Sequence, residues 1–323
     1  MTRKLRIATR GSALALAQTG MIGAELTRLT GVDVTITVIT TEGDTSRASL
    51  ASIGGTGVFA SALRAALVEG SCDLVVHSLK DLPTANYPGL VLGAIPRRED
   101  PRDALCARDG LTLAELPPGA RIGTGSPRRV AQLLSLRPDV TVVDIRGNVD
   151  TRLAKVSSGE LDAVVLAAAG LTRLQRLDAV SEFFDLAIWP TAPGQGALAI
   201  EAREEDSIPE LMTIHDANTG LSIAAERAVL AALEAGCSAP VGASAVLEGS
   251  SLNLSAVVYA ADGSSELESN RSAVLPSGVS AGVSSSGLSR SAGEAAAAEL
   301  GSAVARQLLD GGAGELAALG AAS

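Results

Sequence analysis

Over the first two thirds of the chain, short β-branched runs alternate with segments whose apolar residues recur every three or four positions, the pattern of a parallel α/β sheet flanked by helices. The runs predict strands over Arg6–Thr9, Val34–Ile39, Leu74–His77, Val91–Ile95, Arg121–Gly123, Val140–Ile145 and Ala163–Leu166. The amphipathic segments predict helices over Ser12–Leu29, Gly57–Glu69, Pro127–Leu136 and Val149–Ser157. Two Pro- and charge-rich passages, Pro96–Arg102 and Trp189–Gln195, interrupt the alternation and read as crossings between domains. Beyond them, a helix over Leu221–Leu233 is expected to end at a Gly236 cap and to lead into strands over Ala243–Leu247 and Leu252–Tyr259. Ser277–Ser291 is dominated by Ser, Gly and Ala, has little to bury, and reads as a flexible insertion.

At 323 residues the chain exceeds the roughly 250–300 over which one core grows efficiently, so two or three domains are expected. With 46% hydrophobic but only 2% aromatic residues, Ala, Val, Leu and Ile must fill the interiors. A net charge of −10 argues against a general nucleic-acid binder, which needs a basic field, so any anion site must be local. Lysine stands only at 4, 80 and 155, which leaves that work to arginine. Arg6, Arg10 and Gln18 interrupt the N-terminal apolar residues, and no span of 18 apolar residues occurs, so a cytoplasmic protein without a membrane segment is expected. Cys72, Cys106 and Cys237 are odd in number and lack metal-ligand spacing, which supports neither a disulfide framework nor a metal site.

Three predicted strand-to-helix corners share one construction: Thr9-Arg-Gly-Ser12, Gly123-Thr-Gly-Ser-Pro-Arg-Arg129 and Ile145-Arg-Gly-Asn148. Ser12, Ser126 and Asn148 can cap their helices, Pro127 suits the first helical position, and the glycines let backbone amides approach a ligand. Helix N-termini favour anions, and a guanidinium matches a carboxylate with two parallel hydrogen bonds. Arg152, four residues after Asn148, and Arg173, after the next strand, extend the same rim. Such corners gather outside the carboxyl ends of parallel strands, where open sheets bind ligands, so the expected ligand is polyanionic.

Lys80 and Asp81 stand side by side after the strand over Leu74–His77. Alone they read as a solvated turn; among arginine-bearing corners, the carboxylate gains a second use in balancing a cationic intermediate. Cys237 follows the predicted Gly-capped helix on a loop where a thiol can be reached, although most lone cysteines are inert, whereas Cys72 and Cys106 border strands and read as structural. The two histidines support no triad, and His77 reads as a packed strand residue.

Seven stretches, in order, resemble the porphobilinogen deaminase family over nearly the whole chain: Arg6-Ile-Ala-Thr-Arg10, Val76-His-Ser-Leu-Lys-Asp81, Arg98-Glu-Asp-Pro-Arg-Asp103, Gly123-Thr-Gly-Ser-Pro-Arg-Arg129, Arg146-Gly-Asn-Val-Asp-Thr-Arg152, Pro193-Gly-Gln-Gly196 and Gly236-Cys237. The resemblance implies an α/β fold of two type II periplasmic-binding-protein-like domains joined by a double hinge, plus a small α+β C-terminal domain. The implied boundaries are 1–96 with 197–215, then 97–196, then 216–323. It also implies a transferase of tetrapyrrole (haem) biosynthesis, a monomer. Such an enzyme joins four porphobilinogens head to tail into hydroxymethylbilane, with release of ammonia, on a dipyrromethane cofactor held by Cys237 through a thioether. Asp81 matches the family's catalytic carboxylate. Lys80, Ser126, Arg128 and Arg129 match positions that hold the cofactor's acetates and propionates. Arg10, Ser12, Arg146, Asn148, Arg152 and Arg173 match positions around the substrate and growing chain, and Gln195 matches the hinge-side motif.

One departure is Thr56, in Gly54-Gly-Thr-Gly-Val-Phe59, where the family's cleft-facing lysine is expected; that contact is not carried over, although the glycines suggest a mobile loop. A carboxylate-binding receptor or regulator module of the same fold would explain the arginines but not Asp81 together with Cys237. A phosphate-using enzyme would need a Gly-rich Walker loop, which is absent.

Overall fold

β1 (Lys4–Thr9) buries Leu5, Ile7 and Ala8 and turns through Ser12 into α1 (Ala13–Thr30), which ends where Gly31 adopts the left-handed conformation at φ 72°. β2 (Asp33–Val38), α2 (Val58–Val68), β3 (Leu74–Ser78), a 3-10 turn over Leu79–Asp81 and β4 (Leu90–Ala94) follow. The chain then crosses to β5 (Asp103–Ala107), β6 (Arg121–Gly123), α3 (Pro127–Leu136), β7 (Thr141–Val143), α4 (Val149–Ser157), β8 (Ala163–Ala167), α5 (Ala168–Arg173) and β9 (Glu182–Phe183). It returns to β10 (Leu198–Arg203) and closes with α6 (Ala217–Ala232), β11 (Val241–Glu248), β12 (Ser251–Tyr259), β13 (Glu266–Val274), α7 (Ala292–Asp310) and α8 (Ala313–Leu316). This computed structural model describes residues 3–40, 58–236, 239–276, 283–284, 287–288 and 292–319. Cys237, Thr56 and most of the insertion read over 277–291 lie outside the described residues.

Two five-stranded sheets have the same plan, β2-β1-β3-β10-β4 and β7-β6-β8-β5-β9. In each, three parallel strands are followed by one antiparallel strand that the chain inserts directly after or before a crossing: β10 lies between β3 and β4, and β5 between β8 and β9. The third sheet is an antiparallel meander, β11-β12-β13, against which α6 and α7 pack through Val229, Leu300 and Val304. This is the expected layer plan, two α/β units with a small α+β unit. The one tryptophan, Trp189, is fully buried and stacks on Phe184 at 4.2 Å between ring centres, anchoring the return crossing in the second sheet's core.

The inserted strands escape the periodicity reading. β5 is Ala-rich and starts with an aspartate, and β10 carries a glutamate at its centre, so neither looks like a buried strand until its carboxylate is seen to be paired. β13, charged and mostly exposed, is an edge strand and lacks an apolar signature. Two caps also differ from expectation. α6 begins four residues earlier than predicted, because Asp216 caps it by accepting the Thr219 amide at 2.7 Å. It ends at Leu233 with Glu234 in the left-handed region at φ 50°, rather than at Gly236.

Candidate active site

The corners carry most of the residues singled out from the sequence. Ser12 Oγ accepts the Ala15 amide at 3.3 Å, and Asn148 Oδ1 accepts the Thr151 amide at 2.8 Å, so both cap their helices. Ser126 does not: it stands at the N-cap ahead of Pro127, but its side chain caps no amide, and its own N–H donates to the buried Thr124 Oγ1 at 3.2 Å. The second and third corners abut. A Cβ added at Gly125 would lie 2.8 Å from Ile145 O, so this close approach requires glycine.

At the end of β3, Asp81 is exposed and shares a cavity of about 100 Å³ with Arg10, Ser12, Gln18, His77 and Ser78. A larger cavity, about 950 Å³, lies behind β4 against α6 and α7, but it is lined by none of the predicted site residues. Its size therefore says nothing about the chemistry at the corners.

A string of hydrogen bonds crosses between the two α/β units. Lys80 Nζ donates to Gln195 Oε1 at 3.3 Å, and Gln195 Nε2 donates to Asp103 Oδ1 at 2.7 Å. Asp103, fully buried at the start of β5, also receives Arg129 Nη2 at 2.6 Å, Arg128 Nη2 at 2.8 Å and Trp189 Nε1 at 2.9 Å. Burial alone would raise its pKa, but the two guanidiniums override that and hold it well below the usual carboxylate range. Burial pushes Lys80 down to about 8; Asp81 and Asp103 oppose the shift while Arg129 and Arg128 add to it. Asp103 closes one of the stretches that resemble the family, Arg98–Asp103, and is a structural hub whose role local sequence pattern does not reveal. The available signal was a carboxylate opening an otherwise apolar pentapeptide.

The arginines divide into two groups. Arg128 turns into the wall, donating from Nη1 to Gln132 Oε1 at 2.6 Å and Pro190 O at 3.1 Å, besides Asp103. Arg129, Arg146 and Arg152 gather: Arg152 is lowered first by burial and then by the charges of Arg129 and Arg146, with Asp144 opposing. Arg152 Nε donates to Gly147 O at 2.9 Å. Arg173 donates from Nη2 to Gly196 O at 2.6 Å on the return crossing, and its pKa is lowered by burial against the pull of Glu99. Buried Nε groups of Arg128, Arg129 and Arg173 have no hydrogen-bond acceptor. Both crossings are pinned from behind by Glu226 of α6, which accepts Arg98 at 2.6 and 3.0 Å, the Gly194 amide at 2.7 Å and the Ala245 amide at 2.9 Å.

Cys72 and Cys106 are buried, and burial pushes the Cys106 thiol up to about 12, the behaviour of inert core sulfur. Among the described residues no group of His, Cys, Asp and Glu is arranged to hold a metal, and no helix is long and apolar enough to cross a membrane.

Two family models match the chain: "Porphobilinogen deaminase, dipyromethane cofactor binding domain" over residues 5–210 and "Porphobilinogen deaminase, C-terminal domain" over residues 221–310. The porphobilinogen deaminase of Leifsonia xyli subsp. xyli is 56% identical over 321 residues, covering 98% of this chain and 94% of the relative. That of Cutibacterium acnes is 52% identical over 336 residues, covering 98% and 97%. Among solved structures, the methionine-binding protein MetQ has 10% identity and a TM-score of 0.42 over 65% of this chain and 88% of its own. On the two family models and these full-length identities, the chain belongs to the porphobilinogen deaminase family.

Proposed function

We propose that the cleft bounded by the three corners is where this chain performs the family's reaction, and that its residues divide that work by charge. As a porphobilinogen deaminase it is a hydroxymethylbilane synthase: four porphobilinogens are joined head to tail, ammonia is released, and a dipyrromethane cofactor serves as primer. The receptor alternative has no support from relatives that match nearly end to end and bear the enzyme's name.

The observation that carries the site assignment is the charge imbalance around Asp103. One buried carboxylate faces two guanidiniums, with Lys80 two hydrogen bonds away through Gln195. The surplus is cationic, and the buried Nε of Arg129 still lacks an acceptor, so the donor set suits a group that carries several carboxylates. Lys80, Ser126 and Arg129 would hold the dipyrromethane's acid side chains, and Arg128 would hold Arg129 and Asp103 in place as much as any ligand. Cys237 would tether the group through a thioether. When bound, the dipyrromethane supplies the pyrrole carbon to which new rings are added.

Arg10, Ser12, Arg146, Asn148, Arg152 and Arg173 bind the carboxylates of the incoming pyrrole and the growing chain. Asp81, at the mouth of the smaller cavity, accepts pyrrole N–H groups and stabilises positive charge as the amine departs. Gln195 couples Lys80 to Asp103 and so fixes the relative position of the two walls. The three-domain division at 1–96 with 197–215, 97–196 and 216–323, a monomeric state and a cytoplasmic location complete the reading.

The test is intact-protein mass spectrometry. The purified chain is expected to exceed its sequence mass by one dipyrromethane and to colour with Ehrlich's aldehyde reagent, while Cys237→Ser is expected at sequence mass and without activity. Fully active enzyme at sequence mass would overturn the tether.

A further inference from the structure

His77, on β3, lines the cavity that holds Asp81 and Arg10. His77, Glu201 and Arg64 form a buried triad, with 8, 4 and 6% of their surfaces exposed. Arg64, from α2, grips Glu201 on the inserted strand with Nε at 2.9 Å and Nη2 at 2.7 Å. His77 Nε2 lies 3.0 Å from Glu201 Oε2, short of ideal hydrogen-bond alignment. Burial alone would raise Glu201, but His77 and Arg64 together hold it at about 2, so the carboxylate stays charged.

With Nε2 beside the carboxylate, Nδ1 is the ring nitrogen left to meet a ligand. Arg10, suited to carboxylates, and Asp81, suited to a cation, line the same cavity as His77. The lining therefore offers a group for each sign of charge, and porphobilinogen carries both, with carboxylates on the ring and an ammonium on its aminomethyl arm.

We propose that His77, oriented by Glu201, is a specificity-determining residue that accepts a hydrogen bond from the ammonium end of the substrate beside Asp81. This rests on the site reading above and adds the group that distinguishes an aminomethyl pyrrole from a neutral one. Arg64 and Glu201 act through His77 and are positioning residues.

The experiment compares His77→Phe, which keeps the ring volume, and His77→Gln, which restores an acceptor, in holoenzyme whose cofactor mass has been verified. Two constants are measured at neutral pH: KM for porphobilinogen and the inhibition constant of its hydroxymethyl counterpart, whose arm is uncharged while its carboxylates remain. His77→Phe is expected to raise KM about tenfold or more while the inhibition constant moves less than about twofold, and His77→Gln is expected to recover part of the loss. Glu201→Gln, with His77 intact, is expected to raise KM several-fold with the same selectivity. Equal losses for both ligands, or no loss for either, would overturn the proposal. If the wild-type chain fails to consume porphobilinogen at all, the functional reading has failed instead, and the two failures are distinct.

Discussion

The two α/β sheets use one device with opposite outcomes. Each inserted strand, β5 in one and β10 in the other, carries a buried carboxylate that takes guanidinium from a helix packed against the sheet: Asp103 with Arg128 and Arg129, Glu201 with Arg64. In the first sheet of the chain the pair is matched one to one, and the remaining contact goes to a histidine. In the second the ratio is two to one and a lysine lies nearby, so the wall is left positive. A matched pair beside a carboxylate such as Asp81 makes a pocket that tolerates a cation. An unmatched pair makes one that calls for an anionic ligand. Burying charge costs several kcal/mol per ion unless partnered, so the deficit in the second sheet is a standing affinity for carboxylates.

The comparison breaks first at Asp81. If the matched side performs the chemistry, Asp81→Ala removes a charge that at about 4 Å and an effective dielectric near 20 is worth roughly 4 kcal/mol, or about three orders of magnitude in rate. Because Asp81 is exposed and its main chain belongs to a short turn, thermal unfolding is expected to stay where it was. Steady-state kinetics beside a melting curve test both halves. Normal turnover in Asp81→Ala would remove it from the mechanism.

Next comes the pair of carboxylates themselves. Asp103→Asn leaves two buried guanidiniums without a counter-charge and is expected to cost about 3–5 kcal/mol. Glu201→Gln keeps an acceptor for a single guanidinium and is expected to cost about 1.5–3 kcal/mol. Denaturant unfolding of the cofactor-free proteins measures both. Equal costs, or the reverse order, would mean that the two sites are balanced alike and that the charge surplus is not a property of the second wall.

Much of this was legible in the residues. The parallel strands other than β9 and the four early helices follow from periodicity, because each puts one apolar face against a sheet. The corners follow from Ser12, Asn148 and the glycines, whose capping and close approach are local properties. What periodicity could not supply is any feature whose partner lies far away in sequence. Glu201 spoils the apolar pattern of β10 until Arg64, 137 residues earlier, is placed against it. Asp103 is unremarkable until residues 25 to 92 positions away converge on it. Ser126 has a capping residue's sequence and lacks the cap because Thr124 shapes the turn instead. Cues of the first kind found the arginine-bearing rim; those of the second kind would have separated Arg128, committed to the wall, from Arg129.

The smallest expected effect sharpens the comparison through pH. Lys80 is held near 8 in the folded chain against an ordinary value of 10.5, so the unfolded chain binds more protons between those limits. Its penalty is complete below pH 8 and is relieved as pH rises from about 8 to 10.5. Replacing Lys80 by Met removes the penalty, and the cofactor-free protein is expected to gain on the order of 2 kcal/mol at pH 7 and almost nothing at pH 10.5. In holoenzyme the sign is expected to reverse at pH 7, because the carboxylates that Lys80 would otherwise hold lose their partner. Melting curves of both forms at the two pH values decide it. A Lys80→Met variant that is less stable than wild type at pH 7 without cofactor would show that the second wall's surplus is already neutralised within the protein, and its claim on an anionic ligand would fail with it.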